Sequence, residues 1–202
     1  MAEQFWKIDK NSLVWDVKAH PIHEDRIEMA GLYCATQYDY GVHEDGSLLI
    51  SQAIYFPMLR TIPNNTHGTF CFAPKEERPL LQKNGEAIKE YPHTIRLDGI
   101  LTVESSTGEG FSVERRCFPS TDRRFSVERV RICAEESVTL TLSLPNEFVH
   151  SYGRGTKGVY VCTICHTASE SIVLAAGECV EFDIFYTARI ANEQLSLPNG
   201  KE

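Results

Sequence analysis

Apolar and polar residues alternate with a period of two along most of the chain, which predicts β-strands with one buried face. Residues 5–17 open this way, with Trp6, Ile8, Leu13, Trp15 and Val17 around a turn-like Asp9-Lys10-Asn11-Ser12. In residues 32–40, Leu32, Cys34, Thr36, Tyr38 and Tyr40 share a side. The return run 47–56 places Leu48, Ile50, Ile54 and Phe56 on one face. The Asp45-Gly46 step between them predicts a hairpin, because glycine supplies the positive φ such turns need. Further strands are expected at 69–72, 93–103, 111–118, 125–133, 138–144, 159–166, 171–174 and 180–190. In the last of these, Val180, Phe182, Ile184, Tyr186 and Ala188 point inward. Asn84-Gly85 predicts a small surface hairpin within a charged, proline-bearing stretch, and residues 147–157 read as looser chain.

The result is about 10–12 antiparallel strands and little helix. A sheet that wide splits into two packed layers, so the fold class is all-β, a large antiparallel, supersandwich-like β-sandwich. Residues 1–191 form that domain, and residues 192–202 read as a polar, linker-like tail toward a further C-terminal domain. With 202 residues, 42% hydrophobic and 24% charged, the chain has enough material for its own core.

A net charge of −8 argues against a nucleic-acid partner. Arg115, Arg116, Arg123, Arg124, Arg129 and Arg131 are interleaved with Glu114 and Glu128 and read as a solvated, salt-bridged sheet face. No apolar run approaches the roughly 18 residues of a membrane span, so no membrane partner is expected. The first six residues lack a signal-peptide pattern. As it reads, the chain is cytoplasmic, or periplasmic or secreted if a leader was trimmed. The seven cysteines cannot all pair, and they fall in apolar strand patterns where inert buried thiols are common.

Two polar segments carry the candidate chemistry. The first, residues 56–70, holds Arg60, Asn64, Asn65 and His67 between Pro57 and Pro63. These donors and acceptors suit neutral polar ligands such as sugars, on a backbone that proline pre-orders. The alternative is a rigid crossover whose amides bond their own backbone. The second, residues 20–28, offers His20, His23, Glu24, Asp25 and Glu28. These are ligand types for a metal, or two carboxylates for glycoside chemistry, or a solvated, hydrogen-bonded turn. Cys162-Thr-Ile-Cys165-His166 matches a haem-attachment spacing. On a strand, however, residues three apart face opposite ways, so neither a haem nor a metal is expected there. No cofactor is expected, and no catalytic residue is assigned.

The pieces His23-Glu-Asp-Arg-Ile-Glu-Met29, Phe56-Pro-Met-Leu-Arg-Thr-Ile-Pro-Asn-Asn-Thr-His67 and Leu97-Asp-Gly-Ile-Leu101 resemble the N-terminal region of bacterial six-hairpin, rhamnosidase-like glycoside hydrolases. The resemblance implies a non-catalytic β-sandwich domain that supports an (α/α)6 catalytic barrel of the same polypeptide and borders its carbohydrate pocket. Arg60, Asn64, Asn65, His67, His23, Glu24, Asp25 and Glu28 would then be candidate substrate contacts. The competing expectations are an independent carbohydrate-binding module, with Trp6, Trp15, Tyr38, Tyr40 and Tyr152 as stacking platforms, and a small metalloenzyme using His20, His23, Glu24 and His67.

Overall fold

A computed structural model describes residues 5–19, 21–63, 68–74 and 78–194. Among them there is no helix, and the chain forms seventeen strands. The first six are β1 (Trp6–Asp9), β2 (Ser12–Asp16), β3 (Glu24–Ala30), β4 (Ala35–Val42), β5 (Leu48–Arg60) and β6 (Thr69–Phe72). Next come β7 (Leu81–Lys83), β8 (Glu86–Ala87), β9 (Tyr91–Leu97), β10 (Leu101–Ser106), β11 (Phe111–Pro119) and β12 (Phe125–Ala134). The chain continues through β13 (Val138–Leu142), β14 (Glu147–Gly155), β15 (Gly158–His166), β16 (Ile172–Leu174) and β17 (Cys179–Ile190).

One layer of the sandwich is a nine-stranded sheet in the order β1-β2-β9-β10-β11-β12-β17-β15-β14. Facing it are two four-stranded sheets, β3-β4-β5-β6 and β16-β13-β7-β8, and all the pairing is antiparallel. The strand count exceeds ten to twelve because short pieces count separately. β1 and β2 fold about Lys10 (φ 55), and β7 and β8 about Asn84 (φ 55) and Gly85 (φ 82).

Two runs differ from expectation in extent. β5 continues through Pro57 to Arg60, and its pairing with β6 shifts register between Phe56 and Arg60. β4 has already ended opposite Tyr55, so Pro57 interrupts no ladder bond there. The looser stretch after Glu147 is the edge strand β14, which pairs with β15 along its length. Its two glycines and a register shift near Tyr152 hid it from the alternation rule.

Two apolar clusters fill the space between the layers. The larger joins Ile54, Phe56, Phe70, Leu81 and Leu140 to Val113, Val130, Ile164 and Ile184 of the nine-stranded sheet. The smaller gathers Trp15, Tyr38, Tyr40, Ile95, Leu101 and Val103. Between them runs a polar seam. Arg115 lies on β11 between Val113 and Cys117, with the same inward parity, and is only 2% exposed. Its guanidinium clasps Glu90 with two hydrogen bonds and donates a third to Glu128. Glu128 also accepts from Arg78 Nη2 (2.6 Å) and from the Tyr186 hydroxyl (2.9 Å). Burial alone would raise the Glu128 pKa, but the Arg78 and Arg115 charges overcome it and hold it at about 2.

This seam corrects the expectation of a solvated face for the arginine-rich strands. Arg116 and Arg129 do sit on the outer face, paired with Glu114 and Asp183. Arg115 and Glu128 are buried on the inner one. The cysteine expectation is corrected once as well. Cys133 and Cys179, directly opposite on β12 and β17, are disulfide-bonded. The remaining five are outside any disulfide, and burial pushes the thiols of Cys34 and Cys165 up to about 11, so these two are poor nucleophiles.

At one end of the sandwich the turn before β4 sits on the turn before β12. Leu32 N–H donates to the Thr121 carbonyl (3.2 Å), and Cys34 Sγ to that of Phe125 (3.3 Å). Gly31 is required there, because a Cβ would stand 1.8 Å from the Ser120 carbonyl oxygen.

Candidate functional site

Arg60 closes β5, and its main chain is fixed from both sides. Its N–H donates to the Tyr160 hydroxyl (3.0 Å), and its carbonyl accepts from that hydroxyl (2.7 Å) and from Thr156 N–H (2.8 Å). Tyr160 is itself held flat over Gly155, where a Cβ would lie 2.1 Å from the ring. Thr61 then bonds Gly68 through both its N–H (2.7 Å) and its hydroxyl (3.1 Å), which closes the base of the loop. Asn64, Asn65 and His67 lie outside the described residues. The half-buried Arg60 side chain thus springs from a rigid platform beside the β14–β15 turn.

Tyr160→Phe tests that platform. It removes one hydroxyl that serves two backbone groups in a part-buried place, so a stability loss of about 1–2 kcal/mol is expected. Chemical denaturation measures it, and a change below a few tenths would mean that water replaces the hydroxyl.

The second segment is a strand from Glu24 onward and not the unconstrained loop its polarity suggested. Alternation therefore divides its acids. Glu24 and Glu28 are exposed with Arg26 between them, whereas Asp25 is turned inward. Asp25 accepts from Trp6 Nε1 (3.1 Å) and adds to the burial that pushes the Tyr40 phenol up. His23 stacks on Phe5 (4.4 Å, 18°) and meets Trp15 edge-on (5.2 Å, 76°), so it belongs to the aromatic packing of the smaller core. On the outer face, Glu24, Arg26, Asp39, His43 and Ser51 line an open depression of ≈ 740 Å³, with Arg26 and Asp39 ion-paired.

Glu24 and Glu28 are four residues apart on one strand, which separates them by about 13 Å at 3.3 Å per residue. Paired carboxylates in glycoside hydrolysis stand closer than about 10 Å. His20 lies outside the described residues. Among the described residues, no three His, Cys, Asp or Glu side chains gather in a way that could hold a metal ion.

Glu24 and Arg60 stand far apart along the sheet. Glu24 pairs with Gly41, which pairs with Leu49 at the start of β5, while Arg60 is at its end. Eleven strand residues separate those points, about 35 Å. Glu28 lies nearer, across Gln37 from Ala53, and its charge reaches Tyr55. Three of the five candidate stacking aromatics are also spoken for: Trp15, Tyr38 and Tyr40 are at most 2% exposed. Trp6 is half-buried against Trp15, and the Tyr152 side chain is outside the described residues.

Cys162 and Cys165 face opposite ways on β15, as strand geometry requires. Cys162 joins the larger core, while Cys165 joins a small outer cluster with Phe125, Val127 and Phe185. Sequence reasoning missed the Arg78–Glu128–Arg115–Glu90 seam. The signal was present in the parity of Arg115 and Glu128, which fall in register with inward apolar residues on both strands.

No protein-family model matches the chain, and no curated protein matches it either. Among solved structures, it is similar in fold to a chain titled "Putative kojibiose phosphorylase from human microbiome", with a TM-score of 0.60 at 10% sequence identity. The match covers 96% of this chain and 34% of that one, so this chain spans about a third of its structural neighbour's length.

Proposed function

We propose that this chain is a non-catalytic β-sandwich domain of a carbohydrate-active enzyme, placed N-terminal to a six-hairpin (α/α)6 catalytic barrel that it supports. One observation carries the reading: nearly the whole chain superposes on one third of a protein whose title names a disaccharide phosphorylase. The disposition of acids favours a supporting role. Glu90 and Glu128 are locked in the interior, Asp25 is bonded to Trp6, and Glu24 and Glu28 are too far apart to act as a pair. Of the two polar segments, the Arg60 end borders the barrel's substrate pocket in this reading, with Arg60, Asn64, Asn65 and His67 as its contacts. The His23–Glu28 segment serves the sandwich.

The test is an assay of residues 1–202 on kojibiose with and without phosphate, and on aryl glycosides. No turnover is expected. Cleavage at an ordinary enzymatic rate would overturn the reading, as would a gene whose reading frame stops after codon 202.

A further inference from the structure

We propose that Cys133 and Cys179 form a thiol–disulfide exchange site, a bond that dithiols open and oxidants reseal while the domain stays folded. Strand parity places both cysteines on the outer face of the nine-stranded sheet, because Ile132 and Ala134 on β12 and Val180 and Phe182 on β17 turn toward the larger core. Cys179 is exposed and Cys133 half-buried. Their Cα atoms are 4.2 Å apart, the close, non-hydrogen-bonded kind of cross-strand pair. The bond therefore lies outside the packed interior and displaces no ladder hydrogen bond.

Access is open from one side. Exchange proceeds by attack of a thiolate on one sulfur as the other departs, so the sulfur that can be reached decides the course. Cys133 is flanked by Ser112, its register partner on β11. The ladder between β17 and β15 stops at Ile184 and His166, with Thr167 N–H bonded to the Asp183 carbonyl (3.0 Å). Among the described residues, no strand continues the sheet beside Cys179. A thiolate of a small dithiol attacks Cys179 Sγ from that side, and Cys133 leaves as a thiolate that takes a proton from water. The second thiolate of the dithiol then displaces Cys179, so the reductant closes to its own disulfide and the protein gains two thiols.

The sheet does not need the bond to hold its shape. β12 and β17 are paired from Phe125 and Thr187 as far as the two cysteines. Beyond them, Ala134 N–H donates to the Glu178 carbonyl (2.9 Å) and Gly177 N–H to that of Ala134 (2.8 Å). What the disulfide adds is closure of the chain across a separation of 46 residues, the span that carries β13 to β16. Closing so long a loop restricts the unfolded chain, so the redox state of the pair sets stability without rearranging the strands. The site also has little competition. Cys34, Cys117, Cys162 and Cys165 are buried, and the half-buried Cys71 is on β6 in the facing layer.

Thiol counting on the purified protein tests the proposal. After treatment with glutathione disulfide, five thiols should titrate in denaturant, and seven once dithiothreitol has acted on the folded protein and been removed. Phenylarsine oxide, which bridges two adjacent thiols, should then bind one equivalent. Cys133→Ser or Cys179→Ser should abolish that binding, and Cys71→Ser should not. Reduction is expected to lower the melting temperature by about 10 °C, reversed by glutathione disulfide and absent when both cysteines are replaced by serine. Seven thiols after oxidation would overturn the proposal, because no bond forms. A count that stays at five until the protein is denatured would overturn it in favour of a sealed structural staple. Loss of the β-sheet circular dichroism on reduction at room temperature would overturn it too, since the fold would then depend on the bond.

Discussion

Glu128→Gln is expected to destabilise the protein by about 3–5 kcal/mol, the usual cost of removing one partner from a buried ion pair. At roughly 2–4 °C per kcal/mol for a chain of this size, that lowers the melting temperature by about 10 °C. The amide keeps an acceptor for Tyr186 but takes away the anion that Arg78 bonds among the described residues, and one of the two bonded to Arg115. Both guanidiniums then remain in the interior with a positive charge too many. Arg129→Ala is the comparison. It breaks a bidentate pair with Asp183 on the outer face, where the arginine is 35% exposed, and should cost at most about 1 kcal/mol. Equal losses for the two variants would show that the seam is not the desolvated network its burial implies.

The same carboxylate sets an acid limit. Its folded pKa, about 2, lies below the ordinary glutamate value of 4.5. Its contribution is therefore complete above about pH 4.5 and is lost as pH falls toward 2. Urea midpoints taken at pH 7 and pH 3 should drop steeply for the natural protein and less for Glu128→Gln. Parallel drops would sink the assignment.

Trp15→Ala is expected to cost about 3–5 kcal/mol through the cavity it leaves. Trp15 is fully buried, meets Trp6 at 6.1 Å and His23 at 5.2 Å, and packs with Tyr40, Ile95 and Val103 in the smaller cluster. A guanidinium titration followed by fluorescence measures the loss, with Trp6 as the remaining reporter. A loss under about 1 kcal/mol would mean the two layers close over the gap. The same ring packing includes His23, which stacks on Phe5 and meets Trp15 edge-on. His23→Ala should then lower stability in the same titration.

Much of this architecture was legible from one dimension. The inward set on β17, the hairpin at Gly46 and the turn at Asn84-Gly85 follow from side-chain alternation and from φ, both properties of a few adjacent residues. The candidate site was legible only as composition. Residues 20–28 showed acids and imidazoles close in sequence, but the strand they form sends Asp25 inward and Glu24 and Glu28 outward. Arg60 showed as a polar residue near prolines, yet its rigidity comes from Tyr160, one hundred residues away.

The sequence by itself determined that this is an antiparallel β protein, where most of its strands run and which side of each is apolar, because a strand's period is set by its own backbone. Only the tertiary structure decided that Arg115 and Glu128 meet Glu90 and Arg78 in the interior, that Glu24 and Arg60 stand far apart along a sheet, and that β17 ends opposite the tyrosine that holds Arg60. Those outcomes depend on which strands lie opposite one another across the sandwich. That choice is made by the packing of distant segments, and no local period records it.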